Sequence, residues 1–107
     1  MKVLYAIREN LMRRVATIDQ TAAAIEAYGT AARASTRAGD AHTAAIARTN
    51  AGVAHMDAGN AREARKLLGN AIAVFEQADQ TDMALEARYN LAGALVRDGE
   101  LGEGLAL

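Results

Sequence analysis

The sequence predicts an all-α protein built from helix-turn-helix repeats, and three observations predict it. Pro is absent and Ala supplies about a quarter of the 107 residues; Ala costs least in a helix and Pro costs most. Asn10, Asn50 and Asn90 stand forty residues apart, each preceded by two residues by Arg8, Arg48 or Arg88. Gly39, Gly59 and Gly99 are each followed by a polar residue, as where one helix stops on a left-handed residue and the next is capped.

Taken in chain order, the units are residues 1–40, 41–80 and an incomplete 81–107, about two and a half to three repeats of two helices each. The first unit holds Ala24 and Ala31 where the second holds Ala64 and Ala71, but Asp19 replaces the turn glycine. It closes on Arg37-Ala38-Gly39-Asp40. The second unit begins with a helix over 41–57, which stops at Asp57-Ala58-Gly59-Asn60. Asn60 then caps a helix over 61–78, with Glu63 three residues on as in a capping box. Asp79-Gln80-Thr81-Asp82 forms the next turn. The third unit repeats the pattern to Gly99, with Glu100 and Glu103 matching Asn60 and Glu63. Five full helices and a short sixth are expected, without strands. The forty-residue period would carry the sixth to about residue 118. Leu101, Leu105 and Leu107 are therefore expected to be uncovered, as are Val3, Leu4 and Ile7 at the other end. Two readings fit: a fragment of a longer repeat protein, or a chain whose apolar ends pair with another copy. Both predict self-association, because uncovered apolar area drives contact at about 25 cal/mol per Å².

Helical spacing gives the first helix of each unit a candidate buried stripe: Leu11, Met12 and Val15, then Ala51, Gly52 and His55, then Leu91, Ala92 and Leu95. The second helices meet it through Ala24, Tyr28 and Ala31, and through Ala64, Leu68 and Ala71. Gly52 is unfavourable in a helix, which close packing could offset. The opposite face carries Ala6, Asn10, Arg13 and Thr17, then Ile46, Asn50, Val53 and Asp57, then Glu86, Asn90, Gly93 and Arg97. It is mixed and mostly polar, and is expected to face solvent or a ligand.

These residues resemble the tetratricopeptide repeat. That pattern places a Leu-Gly or Leu-Ala pair, an aromatic, a glycine turn, then Ala, a large residue and Ala. Here the second unit reads Ala51-Gly52, His55, Gly59, Ala64, Leu68, Ala71, and the third Leu91-Ala92, Leu95, Gly99, Gly104. The first reads Leu11-Met12, Val15, then Ala24, Tyr28, Ala31. The period near forty is similar to that of the longer subclass, which includes kinesin light chains, GoLoco-binding scaffolds and MalT-type regulators. The resemblance implies a right-handed α-solenoid whose first helices line a concave groove. It implies a peptide-binding groove over Asn10, Asn50 and Asn90, flanked by Arg13, Asp57, Glu86 and Arg97. An Asn amide donates and accepts, so one per repeat could pair with an extended backbone of any sequence. Alternatively, the three Asn bond within or between helices and only space the repeats.

Other chemistries find little support. Cys is absent, so disulfides and thiolate metal sites are excluded. His42 and His55 lie thirteen positions apart without a metal-binding spacing, and His55 is expected to pack in the core. Asp79, Asp82 and Glu86 fit a helix start better than acid–base catalysis. Gly99, Gly102 and Gly104 follow no strand and have the wrong spacing for a dinucleotide loop. The stems of Arg8, Arg48 and Arg88 are expected to edge the buried stripe with their heads in water. Net charge is −1, which argues against a nucleic-acid partner. No apolar run suits a membrane span or a signal peptide. The expectation is a non-enzymatic, cofactor-free, cytoplasmic module that binds a protein or peptide segment, as part of a larger scaffold or regulator. The alternative is a self-association element, a homodimer formed through apolar terminal helices.

Overall fold

A computed structural model describes residues 2–106, and the side chains of these residues except 4, 5 and 100–106. The fold is all-α: four helices and, among the described residues, no strand. They are α1 (Lys2–Arg37), α2 (Ala41–Asp57), α3 (Ala61–Gln77) and α4 (Thr81–Ala106). Each packs on the next in sequence, and α2 also touches α4.

The three turns are built alike and recur every twenty residues. Gly39, Gly59 and Asp79 hold positive φ of 76°, 81° and 55°. The following amide reaches five residues back, Asp40 N–H to Ser35 O, Asn60 N–H to His55 O and Gln80 N–H to Phe75 O, each at 2.8 Å. The positive-φ residue itself donates to Thr36 O, Met56 O or Glu76 O. This paired arrangement satisfies carbonyls that the helix end would leave open. The next helix is then capped. Asp40 accepts from Thr43 N–H at 3.0 Å and from the Thr43 hydroxyl at 2.6 Å, and Asn60 accepts from Glu63 N–H at 3.4 Å. These bonds to Thr43 hold the Asp40 carboxyl below its ordinary pKa, since they favour the ionised form.

The expected count of five helices and a short sixth is not observed. No break occurs at Asp19, where α1 runs straight through, because neither Asp19 nor Gln20 takes the left-handed conformation. The Thr17 and Thr21 hydroxyls donate to Arg13 O and Thr17 O, keeping the helix's own side chains satisfied across that point. Gly99 likewise lies inside α4 and not in a turn.

The core belongs to α2, α3 and α4. Phe75 and Leu68 are its largest fully buried side chains. Phe75 packs with Ala45, Ala71, Ala84 and Ala87, flanked by Ile46, Ile72 and Met83. Leu68 packs with Met56, Ala64 and Ala94, flanked by Val53 and Leu91. The many alanines let the helix axes come close. Gly52 shows why: a Cβ there would lie 2.8 Å from Leu68 Cγ, so the glycine is the contact point of α2 on α3. Of α1's described side chains only Ala32 is buried. The candidate stripe residues Leu11, Met12 and Val15 are exposed, as are Ala31, Ala92 and Leu95, because no helix lies against those faces. His55 is half-buried and not a full core residue.

Candidate protein-binding surface

Two concavities lie on the α2 side of the packing. One, of about 290 Å³, is lined by Gln20, Thr21, Ala24 and Tyr28 of α1 and by Asn50, Val53, Ala54 and Asp57 of α2. The other, of about 580 Å³, is lined by Met56 of α2 and by Tyr89, Asn90, Ala92, Gly93, Val96 and Arg97 of α4. Asn50 and Asp57 are seven residues apart, and so are Asn90 and Arg97. Two helical turns thus set an amide and a charge on one face of each helix. The pairs occupy equivalent places forty residues apart, with the charge reversed.

Arg97 Nη1–H donates to Met56 O at 2.9 Å. The Met56 carbonyl lies in the last turn of α2, where the helix dipole favours a cation. One side chain therefore fastens α4 to α2 and carries positive charge to the rim of the concavity. Asn50 is exposed and Asn90 half-buried. Tyr89, directly before Asn90, is 81% exposed and Val96 is 60% exposed. Both apolar groups border the larger concavity, and neither belonged to the expected set. An exposed aromatic beside a periodic Asn, in a chain with only three Tyr and one Phe, is the signal that could have found Tyr89.

The seven expected groove residues do not come together as one site. Asn50 and Asp57 share one concavity, and Asn90 and Arg97 share the other. Asn10 and Arg13 are exposed on the first half of α1 and line neither concavity. Glu86 is exposed near the start of α4, outside both. The continuous α1 explains the separation of Asn10, since its first half projects beyond α2 instead of folding beside it.

The periodic arginines have partners of their own. Arg48 Nη2 donates to the Thr36 hydroxyl at 3.0 Å, and Arg88 Nη2 pairs with Glu76. Each reaches twelve residues back to the last turn of the preceding helix. Arg65 pairs with Asp98 across α3 and α4. His42 Nδ1–H donates to Gln80 Oε1 at 2.6 Å, with its ring edge-on to Phe75 at 6.1 Å. Among the described residues, no three His, Cys, Asp or Glu side chains converge as a metal site. No helix among them is long and apolar enough to cross a membrane. No family model matches the chain, and neither a curated protein nor a solved structure matches it.

Proposed function

We propose that the chain is a protein-interaction module, a cytoplasmic segment of a right-handed, tetratricopeptide-like solenoid that binds an extended peptide and has no catalytic activity. The observation that carries this reading is the equivalent placement of Asn50 with Asp57 and of Asn90 with Arg97, each pair lining its own concavity. An extended segment crossing both would meet an amide in each, able to pair with its backbone. It would also meet a negative charge at one end and a positive charge at the other. Tyr89 and Val96 offer the apolar area that anchors a side chain. The exposed apolar residues of α1 favour a second reading, association with another copy, on a surface separate from these concavities.

Panning a random-peptide library on the purified chain tests the first reading, with affinities of recovered peptides measured by fluorescence anisotropy. Asn50→Ala should weaken a recovered peptide by about 0.5–1.5 kcal/mol, the net value of one hydrogen bond, with helix content unchanged. Peptides that bind the Asn50→Ala, Asn90→Ala and Tyr89→Ala variants as tightly as the native chain would remove the reading.

A further inference from the structure

The groove between α1 and α3 lies on the far side of α2 from the peptide surface. Arg48 and Asn50 are two residues apart, which sets them about 200° apart round the helix. A concavity of about 450 Å³ on the Arg48 side is walled by Arg33, Thr36 and Arg37 of α1, Arg48 of α2 and Leu67 of α3. Among the described residues no acidic side chain lines it. None of its three arginines has a carboxylate there within ion-pair distance, whereas Arg65 and Arg88 each have one. The carboxylate nearest in sequence, Asp40, turns both oxygens to Thr43.

The matching place forty residues on shows what this concavity lacks. There Arg88 pairs with Glu76. Here Arg48 reaches Thr36 at 3.0 Å, a neutral hydroxyl that itself donates to Ala32 O at 2.8 Å. Ala73 and Gln77 stand where Arg33 and Arg37 do, and Ile72 where Ala32 does. The later place holds one positive and one negative charge, while the earlier one holds three positive charges around a smaller apolar side chain. Like charges this close repel one another, so the cluster favours an anion among them. The glycines differ in the same sense. A Cβ on Gly29 would lie 3.3 Å from Arg33 Nη1, whereas nothing stands within 4 Å of one on the matching Gly69. Gly29 thus gives the Arg33 guanidinium room to lie back over the helix.

We propose that this concavity binds a phosphate group carried by a polypeptide, a phosphoserine or phosphothreonine. A phosphomonoester holds about −1.5 to −2 charge near neutral pH and offers three acceptor oxygens. Three guanidiniums match it in charge and in their forked N–H donors. Arg48 uses one of its N–H groups on Thr36, a bond that holds its head at the concavity and leaves the other donors for a ligand. Ala32 and Leu67 add an apolar wall for the peptide chain that bears the phosphate. A membrane surface fits less well, because it attracts a broad basic face. This chain has a net charge of −1, and the cluster is confined to one concavity.

Fluorescence anisotropy in phosphate-free buffer tests this, with a labelled peptide pool that carries one phosphoserine among randomised neighbours. The full chain should bind that pool at least about 10-fold more tightly than the same pool with serine, because charge-assisted hydrogen bonds carry the contact. Arg33→Gln and Arg37→Gln should each weaken the phosphorylated pool about 5- to 10-fold. Thr36→Glu should remove the preference for phosphate. It rebuilds at Arg48 the pair that Glu76 makes with Arg88 and sets a like charge beside the ligand. Helix content by circular dichroism should persist in that variant, since Thr36 is exposed. Equal binding of the two pools, or a phosphate preference that survives Thr36→Glu, would overturn the proposal. Inorganic phosphate binding as tightly as the phosphopeptides would assign the concavity to a free anion and overturn it as well. So would co-sedimentation with phosphatidylserine vesicles in a chain that ignores phosphopeptides. Asn50→Ala and Tyr89→Ala should leave the phosphate preference unchanged, so neither result bears on peptide binding by the α2–α4 surface.

Discussion

Residues 57–60 and residues 17–20 occupy the same place in the forty-residue period, and the chain treats them in opposite ways. At Asp57-Ala58-Gly59-Asn60 the helix stops, reverses and starts again. At Thr17-Ile18-Asp19-Gln20 it continues unbroken. Two local differences account for this. Gly59 takes φ of 81° at little steric cost, and Asn60 caps the following helix, whereas Asp19 and Gln20 remain helical. Seven residues before that position and nine after it, the packing differs too. The second unit closes by seating Gly52 on Leu68. The matching pair in the first unit is Met12 and Tyr28, which are too large to approach as closely. A hairpin therefore needs both a turn that can form and a seat that can close, and the first unit has neither.

Grafting the turn onto α1 should have the largest effect. Asp19→Gly with Gln20→Asn should break α1. The maximum dimension in small-angle scattering should then fall below that of the native chain. An unchanged length would assign the control to the seat, and adding Met12→Gly would then be the change that folds the helix back.

The glycines separate the same two factors inside helices that already pack. Gly52→Ala gains helix propensity of up to about 1 kcal/mol but forces a methyl against the fully buried Leu68, an overpacking cost of about 1–3 kcal/mol. A net loss of about 1–2 kcal/mol is expected in urea unfolding. Gly69 on α3 has open space around its Cβ direction, so Gly69→Ala should instead gain about 0.5–1 kcal/mol. Equal responses at the two positions would show that Gly52 is not the contact that closes the hairpin.

The smallest effect concerns the Asp40 cap. Its carboxyl titrates below the ordinary 3.8 because Thr43 donates to it twice, from its side chain and its backbone. A group with a lowered folded pKa stabilises above the unfolded value and loses that contribution as pH falls through the folded one. The native chain should therefore lose more stability than Asp40→Asn as thermal melts move from above pH 3.8 to below it. Matching pH profiles would mean that the Asp40 carboxylate is not what caps α2.

The sequence by itself determined the helical class, because an Ala-rich, Pro-free chain leaves the backbone little else to form. It also placed α2 and α3 within a residue, because Gly39, Gly59 and Asn60 are local signals whose physics needs no distant partner. The turn at Asp79 was legible from its polar cluster, although an Asp and not a glycine takes the left-handed position. Other features depended on which surfaces meet. Leu11, Met12 and Val15 read as a buried stripe by spacing alone, yet spacing says only that a face is apolar and not that anything covers it. Asn10, Asn50 and Asn90 share a period, but a shared groove required α1 to fold beside α2. The Arg48 and Arg88 bonds to the preceding helix ends, and the place of Tyr89 beside Asn90 on a concave surface, follow from the distance and angle between packed helices. Those quantities are set by the alanines and the single glycine at the contact, a property of two surfaces together that neither stretch of sequence carries alone.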